Sequence, residues 1–270
     1  MKKDSKALHF LYNNWFGIMI LKFIYNHWFS KLMGLLLSTK ISALIIDGFI
    51  KKHNINMSRF QKKRYKSFND FFIRELKDNS VVQDTDVFIS PSDGNLLVYE
   101  INETSQFNIK NATYSIADLL GEEEDRYNGG YCLIYRLEAT DYHRYCYIDR
   151  GTKEDNIYIK GVLHTVQEIA TDKYKIFHTN SREWTKMKTD NFGTITQIEV
   201  GALVVGKIDN YHESHGFTRG EEKGRFEFGG STIIMLIEKD KVKIDDKFIH
   251  SGRDNVESHV LYGTEIGQKI

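Results

Sequence analysis

Residues 225–236 read RFEFGGSTIIML, and the fold of the chain turns on how this stretch is read. Ile233, Ile234, Met235, Leu236 and Ile237 make an unbroken apolar run rich in β-branched residues, the pattern of a buried strand. Gly229 and Gly230 stand at its entrance, with Ser231 behind them. The ordinary reading is a turn, because glycine reaches positive φ and serine bonds its own backbone. The other reading is that the peptide bond before Ser231 is built to react.

The same β texture continues on either side of this strand. Candidate strands cover 87–91, 95–101, 131–138, 158–166, 194–208, 231–239 and 241–245, separated by Gly, Asn and Asp turns. Two short helices interrupt them. SFNDFFIREL (67–76) has Ser67 as N-cap and Asp70 at the third helical position, and SIADLLGEEED (115–125) has Ser115 as cap with Leu119 and Leu120 inward. No repeat or low-complexity linker is present. The pattern predicts an α+β chain, with a helical N-terminal arm over 1–65 and one β-rich body over 66–270.

Within the arm, residues 9–50 are strongly apolar and aromatic, and the basic stretch KKHNINMSRFQKKR (51–64) follows. Lys22, Lys31, Lys40 and Asp47 break every apolar run below the roughly 18 residues of a membrane span. Phe16, Met19, Ile20, Phe23 and Ile24 share one helical face, with Trp15 and Trp28 nearby. Such helices are either core elements or an interfacial segment lying in a bilayer surface. Residue pattern alone leaves both readings open.

Composition narrows the function classes. Thirty-seven basic and 37 acidic residues give a net charge of zero, which argues against a general nucleic-acid binder. Cys132 and Cys146 form neither a CxxC pair nor a zinc spacing, as expected of a reducing compartment. The N-terminus lacks a clean apolar region with a cleavage site, so no secretory signal is expected. Nucleotide-binding glycine loops and the G-x-S-x-G elbow are absent. His212 and His215 are too close for a helical HExxH zinc pattern and read as a solvated loop.

What remains is a series of short polar stretches: PSDG (91–94), DYHR (141–144), NSRE (180–183), VGALVVG (200–206) and RGEEKGRFEFGGST (219–232). Singly, each reads more readily as a turn, a strand end or a close packing point than as a site. Their order and spacing resemble the phosphatidylserine decarboxylase proenzyme family, from about residue 67 to the end. The aromatic and basic arm is similar to that of the bacterial GGST-type branch.

The resemblance implies a pyruvoyl-dependent enzyme that converts phosphatidylserine to phosphatidylethanolamine and CO2. It implies self-cleavage at Gly230–Ser231 into a β subunit (1–230) and an α subunit (231–270), which remain together as a heterodimer; higher assembly is left open. Ser231 Oγ would attack the Gly230 carbonyl by N→O acyl shift, and β-elimination with hydrolysis would leave the pyruvoyl group at residue 231. Glycine before the serine would relieve crowding and permit strained dihedrals. The pyruvoyl ketone would form a Schiff base with the substrate amine and act as electron sink, with no metal required. By the same resemblance Asp93 would orient His143, and His143 would take the Ser231 proton. Relatives carry two histidines in an HRxH arrangement, whereas this chain has His143-Arg144-Tyr145-Cys146. Either His143 covers both roles, or another histidine such as His164 moves in; a Cys146 base is disfavoured by its ordinary thiol pKa near 8.5. A diacyl substrate favours the interfacial reading of the arm, and so a peripheral protein on the cytoplasmic side of the cell membrane. The alternatives are a pyruvoyl enzyme acting on a soluble amino acid, and an inactive membrane-binding homologue.

Overall fold

The computed structural model describes residues 6–109, 112–171, 174–203, 207–254 and 256–270. Helices Lys6–Asn13, Trp15–Ile24, His27–Leu37 and Ile46–His53 form the arm, and strands dominate the rest. The α+β expectation, helical arm before β-rich body, is met.

The central element is a nine-stranded antiparallel sheet. Its order runs His215–Phe217, Gly151–Lys153, Arg182–Thr189, Thr194–Gly201, Ser231–Ile237, Tyr131–Leu137, Gly94–Glu100 and Ser258–Val260, with Ile157–Ile159 also on Arg182–Thr189. All seven residues of the Ser231–Ile237 strand are buried, which explains its unbroken apolar run: both faces of the sheet are covered. Ile234 and Leu236 join a core that includes Tyr12, Leu21, Ile134 and Ile198. Ile233, Met235 and Ile237 join a second core with Tyr135, Tyr145, Phe226 and Ile195. That second face is capped by a small sheet of Arg144–Cys146, Glu222–Phe226 and Ile208–Asn210.

Several elements are shorter than their sequence pattern. The helix expected over 67–76 covers Phe68–Phe72, with the Ser67 hydroxyl accepting from Asp70 N at 3.1 Å. The helix expected over 115–125 covers Ile116–Leu120, opened by a Ser115–Asp118 capping box and stopped by left-handed Gly121 at φ 75°. Of 158–166 only 158–159 are strand, as the end of Ile157–Ile159. Beyond it the Asn180 side chain takes both backbone groups of His164, accepting from its N at 3.1 Å and donating to its O at 2.8 Å, so no ladder forms. Of 194–208 the strand Thr194–Gly201 is present, and 204–206 lie outside the described residues.

The arm is bound to the body by one side only. Tyr12 and Leu21 are buried in the first core. Leu163 N donates to Tyr25 O at 3.0 Å, and Phe49 packs edge-on against Phe68 at 5.1 Å. The other side leaves Trp15, Phe16, Met19, Ile20, Phe23, Trp28, Leu35, Ile41 and Leu44 exposed, with Leu44 at 84%. Core helices do not leave such a row in water. Among the described residues no single helix is long and apolar enough to cross a membrane.

Candidate active site

Ser231 is the first residue of the central strand, opposite Gly201 on one neighbour and Leu137 on the other. Strand alternation directs its hydroxyl toward the second core and that of Thr232 toward the first. Ser231 is fully buried, and its Oγ has no hydrogen-bond partner among the described residues. An unpartnered buried hydroxyl lowers stability by about 1–3 kcal/mol, and this one, unlike the likewise unpartnered Thr232 hydroxyl, directly follows the Gly229–Gly230 pair.

The approach to Ser231 carries the backbone freedom expected of its glycines, displaced by one residue. Gly229, not Gly230, has the glycine-favouring φ of 140°. A Cβ at Gly230 would meet Val166 Cγ2 at 3.5 Å and Ala202 Cβ at 3.8 Å, ordinary contacts. The strained dihedral expected at the scissile glycine therefore lies on its neighbour.

His143 precedes the Arg144–Cys146 strand and is fully buried, with Phe72 3.9 Å from its ring. Its carbonyl accepts from Phe226 N at 2.9 Å, which ties it to the segment leading to Ser231. Its Nδ1 is 3.0 Å from Asp141 O. A carbonyl only accepts, so Nδ1 carries the hydrogen and Nε2 the lone pair. Nε2 is buried and has no partner among the described residues. Burial first, and then the nearby Arg74 guanidinium, push the imidazole down to about 3 against the opposing Asp141 hydrogen bond. The imidazole is neutral at physiological pH.

Asp93 does not hydrogen-bond to His143. Its two oxygens accept from Arg59 Nη1 at 2.8 Å and Nη2 at 2.9 Å, and from Tyr142 N at 3.2 Å and Tyr262 N at 2.8 Å. It fixes the backbone beside His143 rather than the ring. Arg74, fully buried beneath Phe60, adds to this by donating to Asp141 O at 2.9 Å, the carbonyl that also holds His143 Nδ1. Asp141 is held in turn by His259 Nε2 at 3.2 Å.

Sequence reasoning missed three of these groups. Arg59 lay within a basic stretch assigned to the membrane, and Arg74 lay in a helix signal that ended early. No sequence pattern pointed to His259.

The remaining candidates have partners of their own. Cys146 is fully buried and its N donates to Pro91 O at 3.1 Å, linking the PSDG turn to the His143 segment. Burial raises its thiol to about 12, which keeps it protonated and unfit as a base. His164 stacks on Tyr174 at 4.6 Å and its Nδ1 lies 3.2 Å from the Tyr12 hydroxyl. The RGEEKGRF stretch is a set of clamps: Arg219 donates to Val87 O at 2.7 Å, Glu222 accepts from Arg144 at 2.7 Å, and buried Lys223 meets Glu199 at 2.7 Å.

This arrangement offers a buried serine hydroxyl at a glycine-flanked peptide bond, and a neutral imidazole with an unshared pair. Comparison with known proteins places it. Residues 68–268 match the phosphatidylserine decarboxylase family. The phosphatidylserine decarboxylase proenzyme 2 of Clostridium acetobutylicum is 43% identical over 266 residues, 97% of this chain and 91% of the relative. The phosphatidylserine decarboxylase proenzyme of Clostridium novyi is 38% identical over 273 residues, 97% of this chain and 92% of the relative. That of Clostridium botulinum strain Alaska E43 is 41% identical over 250 residues, 89% and 84%. With its buried Ser231 at the head of the central strand, the chain belongs to the phosphatidylserine decarboxylase family.

Proposed function

We propose that this chain decarboxylates phosphatidylserine to phosphatidylethanolamine and CO2, using a pyruvoyl group made from Ser231 by cleavage at Gly230–Ser231. The observation that carries the reading is the buried, unpartnered Ser231 hydroxyl opening a strand held on both sides. The site fits the group: that orphaned hydroxyl supplies the Cβ–O bond the cofactor's formation must break.

In cleavage, Ser231 Oγ forms a bond to the Gly230 carbonyl carbon as the C–N bond breaks, and its proton passes to the released nitrogen. Elimination breaks Cα–H and Cβ–O, and hydrolysis releases ammonia and leaves the pyruvoyl terminus. His143 Nε2 is the group offered to take the hydroxyl proton. The pyruvoyl carbonyl then supplies an electron sink for the pair released with CO2. Asp93, Arg59 and Arg74 keep the 140–143 backbone, and with it the imidazole, in place.

The central position of the Ser231 strand supports a lasting heterodimer of the 1–230 and 231–270 fragments. Seven residue pairs on each side bind the α fragment's first strand to the β fragment. The exposed apolar side of the arm supports peripheral docking on a bilayer, and the two free buried cysteines fit the cytoplasmic side.

Intact mass of the purified chain, measured beside CO2 release from phosphatidylserine vesicles and from free serine, tests the reading. Two fragments divided at 230/231, with CO2 from the lipid alone, are expected. CO2 from free serine alone would point to a soluble substrate. One uncut, inactive chain would point to a non-enzymatic homologue.

A further inference from the structure

Three potential metal-ligating side chains converge at the far edge of the main sheet, with three strands between that edge and the Ser231 strand. His212 lies between Ile208–Asn210 and the edge strand His215–Phe217, His215 opens that strand, and Glu221 precedes Glu222–Phe226. His215 Nε2 is 2.8 Å from Glu221 Oε1, and His212 Nε2 is 3.9 Å from the same oxygen. The two imidazoles lie face to face, with centroids 3.9 Å apart and planes 8° from parallel. One ligand atom from each of the three residues lies within 4.8 Å of the others.

The atoms behind these ligands are engaged. His212 Nδ1 is 3.3 Å from the Tyr147 hydroxyl, which leaves Nε2 as the atom turned to Glu221. Glu221 Oε2 accepts from Thr218 N at 2.9 Å and from its hydroxyl at 3.2 Å, which leaves Oε1 presented to both rings. The loop itself is anchored by Lys153 Nζ, which donates to His212 O at 2.7 Å and Glu213 O at 3.1 Å. Outer partners that fix the ligating atom in this way accompany metal sites generally. A hydrogen bond accounts for His215 alone; His212 is aimed at an oxygen it does not reach.

We propose that His212, His215 and Glu221 bind one divalent d-block ion of the zinc class, leaving a fourth position for water. Two imidazoles and one carboxylate suit zinc and disfavour magnesium or calcium, which take oxygen ligands. Tetrahedral coordination at about 2.0–2.1 Å requires ligand atoms roughly 3.3 Å apart. The two rings must therefore turn out of their parallel stack, by side-chain rotation, to bring both nitrogens onto one ion. The bound ion pins the 211–221 hairpin to Tyr147, whose N also donates to Glu221 O at 2.9 Å. The solvated-loop reading of the His212 and His215 spacing missed this because the third ligand comes from a separate turn.

The test uses the untagged full-length chain, stripped with EDTA and titrated with ZnCl2 by calorimetry and with Co2+ by visible absorption. One ion per chain, a Co2+ spectrum of four-coordinate type and a higher melting temperature with Zn2+ are expected. His212→Gln, His215→Gln and Glu221→Gln should each weaken binding at least tenfold, Tyr147→Phe should weaken it less, and His9→Gln in the arm should leave it unchanged. Far-UV circular dichroism identifies any variant that fails to fold, and the folded ones decide. Absence of saturable one-to-one binding to the wild-type chain would overturn the proposal. So would undiminished binding in any folded first-ligand variant.

Discussion

Arg59 grips both carboxylate oxygens of Asp93, at 2.8 and 2.9 Å, and so joins the N-terminal arm to the turn that braces His143. Asp93 is almost wholly buried while Arg59 is 28% exposed, so the pair sits at a half-open seam. A double-mutant cycle with Arg59→Ala and Asp93→Asn should give a coupling of about 1.5–3 kcal/mol by chemical denaturation. Both variants should slow self-cleavage to a similar extent, because both loosen the 142–143 backbone. If Asp93→Asn slows cleavage and Arg59→Ala does not, the carboxylate acts on the imidazole directly.

The two glycines before Ser231 should behave differently. Gly229→Ala forces an L-residue to φ 140° and should destabilise the chain by about 1–3 kcal/mol. Gly230→Ala adds a methyl at ordinary contact distance from Val166 and Ala202 and should leave stability within about 0.5 kcal/mol. Melting curves in a Ser231→Ala background, where both chains stay uncut, make the comparison. Equal losses would show that the positive φ is not what Gly229 supplies.

His143 should also shape the acid limb of stability. Its folded pKa of about 3 lies below the ordinary 6.5, so below pH 6.5 the unfolded chain takes a proton the folded chain refuses. Stability from this group is present above pH 6.5 and is lost as pH falls toward 3. By pH 5 the loss is about 2 kcal/mol. In the Ser231→Ala background, His143→Gln should flatten this part of the pH profile. An unchanged profile would mean that the ring takes up a proton in the folded chain.

The β-rich body was legible because the Ser231–Ile237 run is buried on both faces, and a run of that kind has few other homes. Strand ends were less legible. After Ile159 the apolar pattern of GVLHTV continues, yet the Asn180 side chain takes the backbone bonds of His164 that a strand would use. Of the candidate site, the sequence pointed to Ser231 and His143 through their dense local motifs. The support of His143 by Arg59, Arg74 and His259 was not legible, because it depends on contacts between positions 34 to 118 residues apart that follow no local period.

The arm's exposed aromatic side should control bilayer binding without controlling folding. Trp15, Phe16 and Phe23 are each at least 60% exposed, so replacing them by Ser removes little native packing. Each lost anchor should lower partition onto phosphatidylserine-containing vesicles by about tenfold in flotation assays, with the melting temperature held. Salt should weaken binding through exposed Lys51, Lys52, Lys62 and Arg64, since surface attraction is screened over about 8 Å at physiological ionic strength. Arg59 and Lys63 contribute less, being paired with Asp93 and Asp70. Undiminished flotation of the triple variant would place the membrane contact elsewhere.

Cleavage should depend on His143 and not on His164. The His143 ring carries its hydrogen on Nδ1 and leaves Nε2 unpartnered, whereas His164 Nδ1 meets the Tyr12 hydroxyl and its ring is stacked on Tyr174. Loss of a positioned general base slows a reaction by about 10²–10⁴-fold, so His143→Ala should leave the chain uncut on the time scale of purification. His164→Ala should still be processed, with reduced stability from lost packing against the arm. The depressed His143 pKa adds a second signature. A base already neutral above pH 4 has no titration near neutrality, so the cleavage rate should show no histidine limb between pH 5 and 8. Fragment formation on denaturing gels over that range reads both effects. Rapid, complete cleavage of His143→Ala would remove His143 as the base, and loss of cleavage in His164→Ala would transfer the role to His164.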